Sequence, residues 1–133
     1  MAKRKHTSPA SHRSETLSLA GDGLQRLVVV SDTHGRQHPG SATHIAAQRP
    51  VAILHAGDFG SLDIIDGLRE LAPTIAVRGN VDGRCPTTPD SIDITVMRDD
   101  HPVLGLLLIH SALYGPCLLY TSDAADDWLV GLW

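Results

Sequence analysis

Short apolar blocks alternate with polar, turn-rich segments along the chain, and their spacing predicts the elements. From Leu24 the run Leu-Gln-Arg-Leu-Val-Val-Val-Ser-Asp reads as a buried, parallel-type strand that ends in polar residues. A Gly/Pro/His-rich loop follows at Gly35 to Gly40. A short helix is then expected over Ser41 to Gln48, with Ser41 as its N-cap and Pro50 as its stop. Val51-Ala52-Ile53-Leu54-His55 is the second strand. Between Ser61 and Leu71 the residues Leu62, Ile64, Ile65, Leu68 and Leu71 recur at helical spacing, which predicts an amphipathic helix on a sheet. Thr74 to Val77 is a third strand. Ile92 to Val96 and Val103 to Ile109, separated by Asp99-Asp100, read as a hairpin. The order β-α-β-α-β followed by a hairpin defines an α/β sheet.

Composition narrows the class. A chain of 133 residues with 42% hydrophobic content supports one core and one domain. No run approaches the ~18 to 20 apolar residues of a membrane span, so a transmembrane chain is excluded. Two cysteines, Cys85 and Cys117, make no disulfide framework, and the N-terminus has no apolar signal region; a cytoplasmic location is expected. The net charge of −4 is unevenly spread. The start carries Lys3, Arg4, Lys5 and Arg13 against Glu15 and Asp22, and residues 1–24 are expected to be a disordered basic extension. The body beyond it is acidic, which argues against nucleic-acid binding, since neutralising phosphates needs a basic face.

Three successive strands end in groups able to hold a metal: Ser-Asp-Thr-His-Gly at 31–35, His-Ala-Gly-Asp at 55–58 and Arg-Gly-Asn-Val-Asp at 78–82. The second hairpin strand ends in His110. Sites in open α/β sheets form beyond the carboxyl ends of the strands, so these segments should converge. Carboxylate, imidazole and amide together suit divalent ions such as Mn²⁺, Mg²⁺, Fe²⁺ or Zn²⁺, and the scarcity of cysteine excludes a thiolate cage.

As an ordered set, over about residues 26 to 116, these motifs resemble the calcineurin-like metallophosphoesterases, in particular their small single-domain bacterial and archaeal phosphodiesterase branch. The order there is D-x-H, G-D, G-N-x-D or G-N-H, H-G-H and G-H-x-H. The resemblance implies an α/β sandwich and two divalent metal ions, with Mn²⁺ first and Mg²⁺, Fe²⁺, Ni²⁺ or Zn²⁺ as alternatives. Asp32 and His34 would hold one ion, Asp58 would bridge both, and Asn80 and His110 would hold the other. The implied reaction is attack of a metal-activated hydroxide on a phosphodiester of a small molecule or nucleotide, with Asp58 and Asn80 at the reacting centre. The alternative is a non-catalytic docking scaffold on the same fold, as in the phosphoesterase-fold subunit of the retromer coat.

The remaining polar residues carry less. His55 reads as a hydrogen-bonded core histidine rather than a ligand; His38, His44 and His101 read as solvated. Gly57, Gly60 and Gly79 suit tight turns and close backbone approach. Asp82 has two readings, orienting the site or purely structural, and Cys85 has no base partner in view.

The chain also departs from the family. Val81 follows Asn80 where many members of the wider superfamily place a histidine, which favours substrates with a good leaving group. At 110–116 the sequence His-Ser-Ala-Leu-Tyr-Gly-Pro keeps the first histidine of H-G-H and puts Ala112 at the second, and no G-H-x-H follows. Residues 117–127, Cys-Leu-Leu-Tyr-Thr-Ser-Asp-Ala-Ala-Asp-Asp, resemble the translation of a transposase sequencing adapter. The expectation is therefore the N-terminal part of the domain at 25–116, a non-native tail at 117–133, a missing second half and an inactive fragment.

Overall fold

A computed structural model describes residues 10–111. Six strands and two helices follow one another as β1 (His12–Leu19), β2 (Leu27–Val30), α1 (Ser41–Ala47), β3 (Ala52–His55), α2 (Leu62–Arg69), β4 (Thr74–Ala76), β5 (Ser91–Arg98) and β6 (His101–Ile109). The α/β class and the β-α-β-α-β-hairpin order are as the sequence predicts, with one strand added in front. The tail from residue 117 lies outside the described residues.

Two three-stranded sheets stack. In the first, β2-β3-β4, all pairs are parallel, and central β3 is buried at every position, which is why Ala-Ile-Leu-His carries no outward polar residue. The second, β1-β5-β6, pairs β1 parallel and β6 antiparallel to β5. Between the sheets lies one core, with Leu54, Ala56 and Val77 facing Ile92, Ile94, Val96 and Leu108. On the other face of the first sheet, Ile53 meets Ile45 of α1, Leu68 of α2 and Ala72, so alternate residues of β3 serve the two layers. The β5–β6 turn puts both Asp99 (φ 51°) and Asp100 (φ 62°) in the left-handed region, as the mirror-image hairpin turn requires.

Local details differ from expectation at both helices. Gly40, at φ 88°, occupies the N-cap of α1, and Ser41 is its first helical residue. In α2 only Ile65 and Leu68 are buried, while Leu62 and Leu71, the ends of the predicted apolar stripe, are exposed. The Ser61 hydroxyl caps α2 by accepting from the Asp63 amide at 3.3 Å.

The expected disordered extension over residues 1–24 is corrected for its second half. Residues 12–19 are β1, paired in register from His12 against Ser91 to Leu19 against Arg98. Leu17 and Leu19 pack on the inter-sheet core, while Ser14, Thr16 and Ser18 face out. The strand also covers an edge of β5 that would otherwise be open. Deleting residues 10–22 is therefore expected to lower the melting temperature by about 10 °C, since two half-buried leucines and a ladder are worth about 2 kcal/mol in a domain of this size. Calorimetric or circular-dichroism melts of the two chains measure it, and an unchanged midpoint would contradict the packing of β1.

Candidate metal centre

The polar residues at the strand ends stand on loops that continue the sheet ladder. Beyond β2 and β3 the two chains stay zipped: the Asp32 amide donates to the Gly57 carbonyl at 3.0 Å and the His34 amide to the Asp58 carbonyl at 2.9 Å. This pairing requires left-handed backbone at Asp32 (φ 56°), His34 (φ 47°) and Asp58 (φ 56°). Non-glycine residues adopt that region at a cost, and its occurrence at three proposed ligands in succession marks the loop pair as built for placement rather than for stability. Gly79 completes the approach, because a Cβ there would lie 2.1 Å from Asp58 Oδ1.

Four of the five predicted ligands come together. Asp32, Asp58 and His110 each offer a ligand atom, and these atoms lie within 4.8 Å of one another. His34 Nε2 stands 3.7 Å from Asp32 Oδ1 and 3.9 Å from Asp58 Oδ2, and His110 Nε2 stands 3.4 Å from Asp58 Oδ2. Asp58 is buried, and its other oxygen accepts the Val81 amide at 3.1 Å. Asn80 occupies the turn between Gly79 and Val81, both of which touch Asp58, and its own side chain is exposed. An open cavity of about 270 Å³ lined by Ser31, Asp32, Ala56 and His110 gives access.

The chemistry of the donors fits a cation. His110 Nδ1 lies 2.8 Å from the Ala56 carbonyl, which can only accept, so Nδ1 carries the hydrogen. Nε2 is then the ring atom turned toward the Asp58 carboxylate, 3.4 Å from Oδ2, where the two could share a cation. Asp32 and Asp58 add two carboxylates to the same small volume. A divalent ion would neutralise the two carboxylates and accept the imidazole, and the residues present therefore fit the metal that the motifs imply.

Two further residues hold the site without facing it. His55 is fully buried; its Nδ1 accepts the Gly57 amide at 3.1 Å and its Nε2 meets Thr33 Oγ1 at 3.1 Å, which in turn donates to the Phe59 carbonyl at 3.2 Å. Both ring nitrogens are used, so His55 is a strut between the two loops and not a ligand. Asp82 is also buried, and its carboxylate accepts three amides, Phe59 at 3.3 Å, Gly60 at 2.9 Å and Gly79 at 2.7 Å. It ties the loop after β3 to the turn that carries Asn80. Sequence reasoning left Asp82 open between two roles, and its place in Gly-Asn-Val-Asp was the only signal; that it gathers amides from two loops is visible only in the fold. His38, His44 and His101 are exposed.

Burial pushes the His55 pKa below its ordinary 6.5, against the pull of nearby Asp82 and Asp32. The folded protein thus keeps this ring neutral where the unfolded chain takes up a proton. Stability from this source is fully present above pH 6.5 and is lost as pH falls from there through the lower folded value. Urea midpoints at pH 7.5 and 5.5 should show a larger acid loss in the natural chain than in His55→Asn; equal losses would remove His55 as the cause.

Parallel strands with carboxylate and imidazole gathered at their carboxyl ends, backed by a second sheet, form a candidate divalent-metal centre. The chain matches the calcineurin-like phosphoesterase superfamily domain over residues 26–127, and it belongs to that family. The matched span runs across residues 117–127, so it does not separate that segment from the domain. Neither the curated proteins nor the solved structures contain a match. No helix among the described residues is long and apolar enough to cross a membrane.

Proposed function

We propose that this metal-dependent phosphoesterase domain is built for two-metal hydrolysis of phosphodiesters in small molecules or nucleotides, working in the cytoplasm. The observation that carries the reading is the convergence of Asp32, Asp58 and His110 within 4.8 Å on a face where His110 is fixed with Nε2 inward. Asp32 and His34 would hold one ion and Asn80 and His110 the other. Asp58 has the lone pairs and the charge to serve both. Mn²⁺ is the ion of first choice, with Mg²⁺, Fe²⁺, Ni²⁺ and Zn²⁺ able to use the same donors. When bound, such ions supply Lewis acidity and neutralise charge that develops on the phosphoryl oxygens.

The chain's own groups do the placing. The paired loops hold Asp32 and His34 at one side of Asp58, the Ala56 carbonyl aims His110, and Asp82 fixes the Asn80 turn. Val81 is 56% exposed at the position where a proton donor would otherwise stand. Without that donor, diesters with acidic leaving groups, such as aryl esters, are the better substrates.

The sequence holds no G-H-x-H element, so two imidazoles of the family pattern have no counterpart, and the chain as written is expected to lack appreciable turnover. Hydrolysis of bis-p-nitrophenyl phosphate with Mn²⁺ tests this, comparing the present chain with one whose C-terminal segment supplies G-H-x-H. Turnover only in the completed chain supports the reading. Equal turnover would show that the missing imidazoles are dispensable. No turnover in either, with any divalent ion, would favour a docking scaffold over an enzyme.

A further inference from the structure

A second cavity, of about 360 Å³, shares Ser31 and Asp32 with the 270 Å³ cavity beside His110, so the two spaces adjoin at a proposed metal ligand. Val30 and Ile45 are apolar walls of the larger space, and Arg36, Gln37 and His38 add polar groups. Its volume reaches the range of small-molecule sites, which that of the smaller space does not.

The loop that carries these polar groups is held by a tight turn at each end. In the first, the Arg36 amide donates to the Thr33 carbonyl at 2.9 Å, and both central residues, His34 (φ 47°) and Gly35 (φ 77°), are left-handed. In the second, the Ser41 amide donates to the His38 carbonyl at 3.0 Å, with Pro39 followed by Gly40 at φ 88° and ψ −8°, the residues and angles of a type II turn. The Gly35 amide also donates to the Phe59 carbonyl at 2.6 Å, which fastens the first turn to the loop after β3. That turn does two things: it sets His34 beside Asp32 and Asp58, and it places Arg36 on the neighbouring cavity. Arg36 is exposed, and its guanidinium makes no hydrogen bond or ion pair with any described residue. The side chains of Gln37 and His38 are likewise without a partner among the described residues. By contrast Arg13, Arg26, Arg69, Arg78 and Arg98 each engage an oxygen of the fold. A firmly held loop whose donors are left available suits recognition of a group outside the chain.

Resting on the phosphodiesterase reading, we propose that one substituent of the phosphodiester lies in the larger cavity and that Arg36 selects substrates whose substituent bears a second anionic group. A guanidinium offers a planar fork that matches phosphate or carboxylate oxygens. The Val30 and Ile45 walls suit the organic part that joins the two anions. Asp32 is the one carboxylate among the described lining residues, and the ion it would hold balances its charge, so a second anion meets net positive charge there. Arg36 is thus a specificity-determining residue and touches no reacting atom.

The test titrates the full chain calorimetrically, in the presence of Mn²⁺, with two probes: the p-nitrophenyl ester of thymidine 5′-phosphate and the same ester carrying a 3′-phosphate. The readout is the ratio of their dissociation constants, which needs no turnover. The 3′-phosphate should tighten binding about tenfold or more, as a charged hydrogen bond does. In Arg36→Gln that gain should fall to about twofold or less, while Arg49→Gln, which removes an exposed arginine beyond the C-terminal end of α1, should keep it. No binding of either ester, no gain from the 3′-phosphate, a gain that survives in Arg36→Gln, or an equal fall in Arg49→Gln would overturn the proposal. The phosphodiesterase reading is judged apart by repeating the titrations in EDTA. Equal binding of the plain ester with and without Mn²⁺ would count against that reading, and an Arg36-dependent gain would still uphold the anion-selecting role of Arg36.

Discussion

Replacing Asp82 with alanine is expected to lower folding stability by about 3 kcal/mol or more, one of the largest effects of any single change in the chain. Three amides converge on this carboxylate, from Phe59, Gly60 and Gly79, and all lose their acceptor at once. An unsatisfied buried N–H costs about 1 to 3 kcal/mol, and water entering the space left by the side chain offsets part of the sum. The damage should also spread to the site. Gly79 and Gly60 flank Asp58 from two loops, so Mn²⁺ affinity should fall along with stability although Asp82 holds no metal. Asp82→Asn keeps one oxygen but turns the other into a donor aimed at amides, and its loss should be intermediate. Chemical denaturation of the three proteins measures the effect. A loss below about 1 kcal/mol in Asp82→Ala would show that the three hydrogen bonds are dispensable.

The second large effect separates function from stability. Asp58→Asn should reduce Mn²⁺ affinity by more than about 100-fold, beyond what removing a merely supporting partner costs. Its metal-free stability should stay level or rise. Asparagine can still accept the Val81 amide, and it tolerates the backbone at φ 56° better than most residues. It also removes a buried charge that faces Asp32. Asn80→Ala, which removes one exposed neutral donor, should cost only about tenfold. Equal affinities for Asp58→Asn and Asn80→Ala would contradict the central place of Asp58. A marked loss of metal-free stability in Asp58→Asn would mean that its charge, and not only its shape, helps to hold the fold.

Most of the fold was legible because its signals are local. Val28 to Val30 and Ile53-Leu54 are compact apolar runs that read as buried strands, and both form strands, but only central β3 is buried throughout while edge strand β2 leaves Val29 exposed; Ile65 and Leu68 mark the inner face of α2. The strand β1 was hidden because it is a mainly polar strand. Only Leu17 and Leu19 among its inward positions are apolar; Arg13 and Glu15 are the others, and the Lys/Arg/Ser context before it suggested a solvated extension. Its pairing with β5 spans a sequence separation of 79 residues at His12 and Ser91, which no local pattern reveals.

At the site, Asp32, His34, Asp58 and His110 were legible from their positions at strand ends. What holds them was not. The hydrogen bond from His110 to Ala56, the His55–Thr33 strut and the three amides on Asp82 all join segments that meet only after the sheets have formed. Asn80 carries the same sequence signal as its neighbours, and its turn is tied to the centre through the contacts of Gly79 and Val81 with Asp58.

The most direct test of the account is anomalous diffraction from crystals grown with millimolar Mn²⁺. A peak is expected between Asp32, Asp58 and His110, at about 2.1 Å from the nearest carboxylate oxygen, that disappears in Asp58→Asn. Absence of a peak there in well-ordered crystals, or a peak that survives in Asp58→Asn, would contradict it.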